Sequence, residues 1–469
     1  MIMNLPKLYK LELPLFMLLI VSGLWGPNLV NFTIGSLYIY PFRVLLPLLA
    51  FLFVLRNFKQ NIKFPHIQVK GYMVFFIAWL AYGGLAIMWA DHKDMGMLYW
   101  SILFQNILLI FFTVYYITNV KILNKLVFFT NIIMALTIIV GFWETTTGNH
   151  LSLSSYYNTI YEINRYIPTG TFFNPNDLGT YIAVFFPILL AWTLNTKLRI
   201  LKLLSFILIL LSLYILIKTE SRANYVAVVI EIILWFLFSG RLKDRFFALV
   251  AIGVIGTIVA IGLVNINLDL LTFFQTQIFS LSNETVPDSL RLQLAQAGFK
   301  SFLNSWGMGL GPGNVNELIP FYMSSSQETM SLHNFWLEIL FDYGVLIFIA
   351  FCAFYAQSLK QLFLIRFTQK QDYNQYAGSI FLSLVGTIIG GTSSSSLYGF
   401  IPFWVLLGLN IAVINIYRLD IVTSNDHFSA DSIRKSQESY MPRRIINSLA
   451  DSENKSKPLR WTDTFDKHK

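Results

Sequence analysis

The chain has 469 residues, 55% of them apolar and only 13% charged, with one cysteine and a net charge of +9. A soluble domain carries roughly a quarter charged residues. Here the apolar residues gather instead in nearly uncharged runs such as 200–217 and 246–264, and ~18 such residues suffice to cross a bilayer. A soluble enzyme, a secreted disulfide scaffold and a disordered tail protein are excluded, and the lone Cys352 rules out an internal disulfide or a cysteine metal site.

In chain order the predicted spans are roughly 13–31, 37–55, 71–90, 97–118, 122–142, 178–195, 200–217, 223–239, 246–265, 334–358, 376–395 and 398–417. The expectation is an all-α polytopic membrane domain over 1–417 with about twelve transmembrane helices. Lys7 and Lys10 precede the first run, and Pro27-Asn28 follow it without a small-residue cleavage pattern, so it reads as a span and not a leader. With the N-terminus inside, all but seven of the 34 Lys and Arg residues fall on one side, as the positive-inside rule demands. The basic balance therefore reports topology and contact with anionic membrane lipid, with no nucleic-acid partner. Both termini are expected in the cytoplasm, with the polar tail 418–469 disordered there. Two outer loops are long, 143–177 and 266–333, the latter between spans nine and ten, and long ordered loops are usually functional.

Charges at membrane depth or its edge are costly and mark candidate sites. Arg43, in the outer third of span two, needs an anionic partner, either a protein carboxylate or a ligand phosphate. Pro168-Thr-Gly-Thr-Phe-Phe-Asn174-Pro-Asn176-Asp177 is a turn-rich entrance to span six, with Asn176 or Asp177 expected as the cap. Ser221 is expected to cap span eight, with Arg222 in the first helical turn, where exposed N–H groups already favour an anion. A pairing of Arg222 with Glu220, or with lipid headgroups, is the competing reading. From Ser289 to about Leu303, apolar residues recur at helical spacing, with Arg291 in the first turn of the predicted loop helix. The glycines of Trp306-Gly-Met-Gly-Leu-Gly-Pro-Gly313 match no nucleotide fingerprint and suit a tight turn approaching a ligand or another helix. His333 and Asn334 open span ten, where the helix dipole keeps an imidazole neutral and able to accept a proton. Asn334, Glu338 and Asp342 share one stripe of that helix, and His333 lies off it.

Taken in order, these pieces resemble the O-antigen ligase and O-antigen polymerase family of bacterial envelope glycosyltransferases. The pieces are Gly170-Thr-Phe-Phe-Asn-Pro-Asn176, Ser221-Arg222, Arg291 ahead of Gly309-Leu-Gly-Pro-Gly313, and His333-Asn-Phe-Trp-Leu-Glu338. The resemblance runs from about 165 to 415. It implies a bundle similar to type C membrane glycosyltransferases, with a large outer loop, in the bacterial cytoplasmic (inner) membrane. Such enzymes transfer a glycan from a polyprenyl pyrophosphate to an acceptor hydroxyl on the outer face, without metal or other cofactor. The resemblance assigns pyrophosphate binding to Arg222 and Arg291 and catalysis to His333. Arg43, Asn174, Asn176, Asn334 and Glu338 are possible supporting residues.

Elementary chemistry agrees with that reading. Arg offers a permanent planar fork for phosphate oxygens and can stabilise a departing diphosphate without a metal; no Asp-x-Asp motif occurs in the outer loops. General-base help from a neutral His is worth ~100- to 10,000-fold in rate, and attack opposite the leaving group inverts the anomeric centre. The acceptor decides between a polymerase and a ligase to lipid or protein. The Lys-, Asn-, Ile- and Phe-rich composition suggests an AT-rich genome, and a host with one membrane lacks lipid A, so a polymerase is favoured. A transporter or lipid-linked glycan flippase is the reading from another class, but the internal repeats and midplane sites common in transporters are not evident.

Overall fold

The computed structural model describes residues 5–34, 37–58, 66–159, 164–238, 286–323, 331–368, 371–396 and 398–440, with the isolated positions 249 and 253. Thirteen helices occur among these residues: α1 (Leu5–Leu24), α2 (Pro41–Phe58), α3 (Lys70–Ala86), α4 (Lys93–Tyr116), α5 (Val120–Thr147), α6 (Pro175–Asn195), α7 (Arg199–Lys218), α8 (Arg222–Phe238), α9 (Val286–Asn304), α10 (Asn314–Met323), α11 (Phe335–Arg366), α12 (Gln371–Gly390) and α13 (Ile401–Tyr440). Seven of them, α2, α4 to α7, α11 and the Ile401–Thr423 part of α13, are long and apolar enough to cross a membrane; 11–24 of α1 and all of α3 are shorter apolar helices. Eleven of the twelve predicted spans have a helix at their place, and the ninth, 246–265, lies outside the described residues apart from positions 249 and 253.

The first span is displaced. α1 ends at Leu24, because Gly26 turns the chain at φ +76 and Pro27 follows. A short antiparallel hairpin then pairs β1 (Phe32–Ile34) with β2 (Leu37–Ile39), and α2 opens at Pro41. Arg43 consequently sits in the first turn of α2.

The chain divides into two units, Met1–Ile416 and Tyr417–Lys469. In the first, α6 is buried along nearly its whole length, as expected of a helix that is apolar all round. α12 packs against α6, α8 and α11, α1 packs on α2, and α3 on α4. Between α1, α2 and α4, Glu12 pairs with Arg56 at 3.1 Å and accepts from the Tyr116 hydroxyl at 2.7 Å, while Arg56 donates to Tyr115 at 2.6 Å. Arg56, one of the inner-side charges of the predicted topology, is thus spent on an internal contact. In the second unit the described residues continue α13 to Tyr440.

The glycine-rich turn approaches a helix. α11 breaks at Gly344 (φ +79, ψ 176), and residues 307–311 wedge into the break. Leu310 N–H donates to Phe341 O (2.8 Å), Gly311 N–H to Asp342 O (3.0 Å) and Val345 N–H to Gly307 O (2.9 Å). A Cβ on Gly309, at φ +90, would lie 2.5 Å from Gly344 N. The Asp342 carboxylate then accepts from Gly313 N–H (2.8 Å), Val315 N–H (3.0 Å) and the Tyr398 hydroxyl (2.7 Å), fixing the start of α10.

Gly309→Ala should therefore lower the melting temperature of the detergent-purified protein sharply. The left-handed backbone alone costs an L side chain about 1–2 kcal/mol, and the clash is with backbone that cannot swing aside. Gly71→Ala, whose Cβ would meet nothing within 4 Å, should melt like the parent. Equal melts for the two variants would refute the wedge.

Candidate functional site

Three helix beginnings meet at one end of the bundle, around residues 391–396 after α12. The side chain of Asn174 accepts from Asp177 N–H at 2.9 Å and Pro175 is the first helical residue, so Asn174 caps α6 and not Asn176 or Asp177 as the sequence suggested. Asp177 is freed to face the serines: Ser395 donates to it from its backbone N–H (2.9 Å) and from its hydroxyl (2.5 Å). The Asn224 amide of α8 reaches Ser393 Oγ (3.1 Å), Thr180 Oγ1 (3.2 Å) and Ser221 Oγ (2.8 Å). From the α11 side, Phe335 N–H donates to Gly391 O (2.9 Å), the Ser331 hydroxyl donates to Ser395 O, and Ser396 Oγ donates to Glu338 (2.8 Å).

His333 lies just before α11 with φ +52, a left-handed backbone that is costly for a residue with a side chain and concentrates at functional sites. Its ring is half-buried, and Nδ1 makes no hydrogen bond among the described residues. Burial, and then the positive charge of Arg291, hold the ring below the usual imidazole range. The neutral ring expected from the sequence therefore has two physical causes here, and the second brings Arg291 into the electrostatic reach of His333.

Arg291 arrives there because α9 lies on the start of α11. Leu294, Ala297 and Phe302 are buried in a cluster with Leu332 and Phe341, whereas Leu292 and Phe299 are exposed, so only part of the predicted apolar periodicity forms the contact. α9 starts at Val286 and not near Ser289, which puts Arg291 in the second turn. The expectation that Arg291 sits in a first helical turn is corrected accordingly: its neighbourhood comes from packing and not from a helix end. Arg222 does open α8 and is exposed, with Glu220 before it at φ +56 and the buried Ser221 and Asn224 beside it bonded to the serine segment. The segment 393–395 thus bridges the α8 start that carries Arg222 to the residues preceding His333.

The supporting residues divide. Asn334 caps α11, accepting from Trp336 N–H (3.1 Å) and Leu337 N–H (3.2 Å). Glu338 is buried and braced by Ser396, with Asn316 at 3.4 Å. Asn174 is a cap, and Asn176 receives Asn224 through its carbonyl (3.3 Å). Arg43 lines a cavity whose walls include none of these four residues.

Glu144, Asp177, Asn224 and Ser393–Ser395 were not singled out from the sequence as site residues. At the end of α5 the buried Glu144 carboxylate accepts from Thr169 N–H (2.7 Å), Gly170 N–H (2.6 Å) and Thr169 Oγ1 (3.0 Å), pinning the turn that leads into α6. His150 Nδ1 lies 3.1 Å from the same carboxylate and its Nε2 is 2.9 Å from Arg165 O. The run Thr392–Ser396 directly after Gly390-Gly391 was the available signal: small hydroxyl residues at a helix end let other helix ends approach.

The family model described as O-antigen ligase matches residues 206–352, the stretch that carries Arg222, Arg291 and His333. The chain is also similar to the teichuronic acid biosynthesis protein TuaE of Bacillus subtilis (strain 168), at 26% identity over 395 residues, which are 82% of this chain and 80% of that protein. Both similarities agree with the resemblance carried by Arg222, Arg291 and His333, and the seven long apolar helices make the chain a multi-pass membrane protein.

Burial alone would lower the proton affinity of His150, but its hydrogen bond to Glu144, the charge of Glu144 and the Arg165 carbonyl outweigh it and raise its pKa above 6.5. The folded state then binds this proton more tightly than the unfolded one. The stabilisation is complete below the unfolded value of about 6.5 and is lost as pH climbs through the raised folded value. The melting temperature should accordingly fall from about pH 6.5 upward, and His150→Gln should flatten that slope; an unchanged slope in the variant would assign it elsewhere.

Proposed function

We propose that this protein is an inverting, metal-independent glycosyltransferase that lengthens an envelope polysaccharide. It takes the chain from a polyprenyl diphosphate and transfers it to the hydroxyl of an acceptor glycan. In this reading the membrane is the bacterial cytoplasmic membrane, the mouth around 391–396 faces outward, and residues 1–417 form the membrane domain. Both termini, including the tail 418–469, lie in the cytoplasm. The relative named above is a teichuronic acid biosynthesis protein, so the product we assign is a teichuronic-type chain, made by polymerisation rather than ligation to a lipid or protein.

The observation that carries the reading is the closeness of a permanent cation, Arg291, to a half-buried imidazole whose Nδ1 is unpartnered among the described residues. Neutral His333 accepts the proton of the acceptor hydroxyl as its oxygen attacks the anomeric carbon. The bond from that carbon to the diphosphate oxygen breaks on the opposite face, and the electron pair leaves with the diphosphate. Arg291 and Arg222 hold the growing negative charge through paired N–H donors. Inversion follows from the single displacement.

His333→Ala should abolish transfer while the protein still inserts and folds; full activity would remove His333 from the mechanism. Deleting the gene should leave single lipid-linked repeat units, whereas long unattached chains would establish a ligase and movement of lipid-linked glycan without bond formation a flippase. Product that retains the donor's anomeric configuration would refute the displacement.

The rate should fall only as pH drops below 6.5, since the base must be neutral and its pKa is lowered from that value. Arg291→Gln removes one cause of the lowering, so the acid limb of its residual activity should move to higher pH. Arg291→Lys should keep the limb near the parent's position but lose rate, because a point charge lacks the fork.

A further inference from the structure

The mechanism above leaves Arg43 unused, yet Arg43 lines a cavity of about 440 Å³, within the ~300–1,000 Å³ typical of small-molecule sites. Its walls come from the α1–β1 connection, the start of α2, the 152–154 turn, Phe172-Phe173 and the start of α13. These walls are fastened to one another. Asn28 donates to Phe172 O at 3.0 Å and accepts from Leu153 N–H at 2.7 Å. Gly26 comes so near the opposite wall that a Cβ there would lie 2.6 Å from Thr171 O.

The lining is chemically mixed. The Arg43 guanidinium lies 5.5 Å from the Tyr40 ring centroid. Phe173 is 59% exposed and is part of the cavity lining. The exposed Ser152 and the half-buried Tyr40 complete the polar and aromatic sides. A fixed cation for an oxyanion, ring faces for sugar C–H groups and a hydroxyl for sugar hydroxyls belong together in a site for an acidic saccharide. The back wall also leads toward the catalytic mouth. Phe172 meets Phe400 at 5.9 Å between centroids, Phe400 meets Phe335 at 5.8 Å, and Phe335 follows His333-Asn334 in the chain.

We propose that this cavity is the acceptor-chain subsite, taking an acidic sugar unit of the acceptor glycan with its carboxylate on Arg43 and its ring against Tyr40 and Phe173. The assignment of an acceptor rests on the function proposed above; the saccharide site itself does not. A lipid-borne diphosphate would present the same oxyanion chemistry to Arg43, but the aromatic lining favours the sugar.

The test is binding of two probes, a tetrasaccharide containing hexuronic acid and a neutral tetrasaccharide of equal length, to the purified full-length protein. The acidic probe should bind at least about tenfold tighter, the size expected for hydrogen bonds to a charged group. Arg43→Gln should erase that preference, Arg43→Lys should keep part of it, and Phe173→Ala should weaken both probes several-fold. Gly71→Ala, outside the cavity lining, should bind both probes like the parent. Equal binding of the two probes by the parent, or an undiminished preference in Arg43→Gln, overturns the proposal. Inorganic pyrophosphate that displaces the acidic probe from the parent but not from Arg43→Gln identifies a diphosphate site and overturns the sugar assignment. If Arg43→Gln does not fold, Phe173→Ala decides, and unchanged affinity there overturns the proposal. Arg43-dependent binding in a protein that never forms a glycosidic bond would sink the proposed function and leave the subsite standing. Transfer whose acceptor KM is untouched by Arg43→Gln would do the reverse.

Discussion

The carboxylate of Asp177 joins the first turn of α6 to the backbone and hydroxyl of Ser395, and the mouth of the bundle depends on that junction. Asn174 adds a contact at 3.1 Å from its own amide to the same carboxylate. A buried polar group without such partners costs roughly 2–7 kcal/mol, so the serine segment is held against α6 wherever the bundle excludes water. Once held, it presents Ser393 to α8, the Ser395 carbonyl to Ser331 and Ser396 to α11. Three helix starts that are distant in the chain are thereby set side by side.

This arrangement also explains how His333 keeps an unfavourable backbone. A non-glycine residue in a sparsely populated region costs of order 1–3 kcal/mol and persists only when its surroundings over-determine it. Here Ser331 is tied to Ser395 on one side, and on the other Asn334 caps α11 while Phe335 N–H is bonded to Gly391 O. The chain between has little choice. Below it, the break in α11 at Gly344 is filled by the glycine turn 307–311, which also carries the C-terminal side of α9 into place. The broken helix and the glycines answer each other: freed backbone groups in a membrane bundle must find internal partners.

Electrostatics then divides the labour among the charged groups. Glu144 and His150 form a buried pair with further backbone partners, so their charges serve the turn into α6. Arg56 is likewise bound to Glu12. Arg291 acts on His333, Arg222 opens α8 on the exposed rim, and Arg43 lines a cavity. Helix N-termini at this end add partial positive charge, which suits substrates that carry phosphate or carboxylate.

Hydropathy by itself determined the class of the protein, the places of eleven of the described helices though not all of their ends, and the short list of polar groups that a membrane bundle would not carry without cause. These follow from local composition, because a bilayer's thickness sets how long an apolar run must be and an intramembrane charge is costly wherever it lies. Local rules also identified His333 as a neutral ring and Asn334 as a helix start. Tertiary structure alone decided that Arg291 stands near His333, since that depends on which face of α9 is buried against Leu332 and Phe341. It alone decided that Asn174 caps α6 and leaves Asp177 for Ser395, and that Glu144 reaches across 25 positions to Thr169. A hydrogen bond between remote segments is specified by the whole packing arrangement, and no local window of sequence contains it.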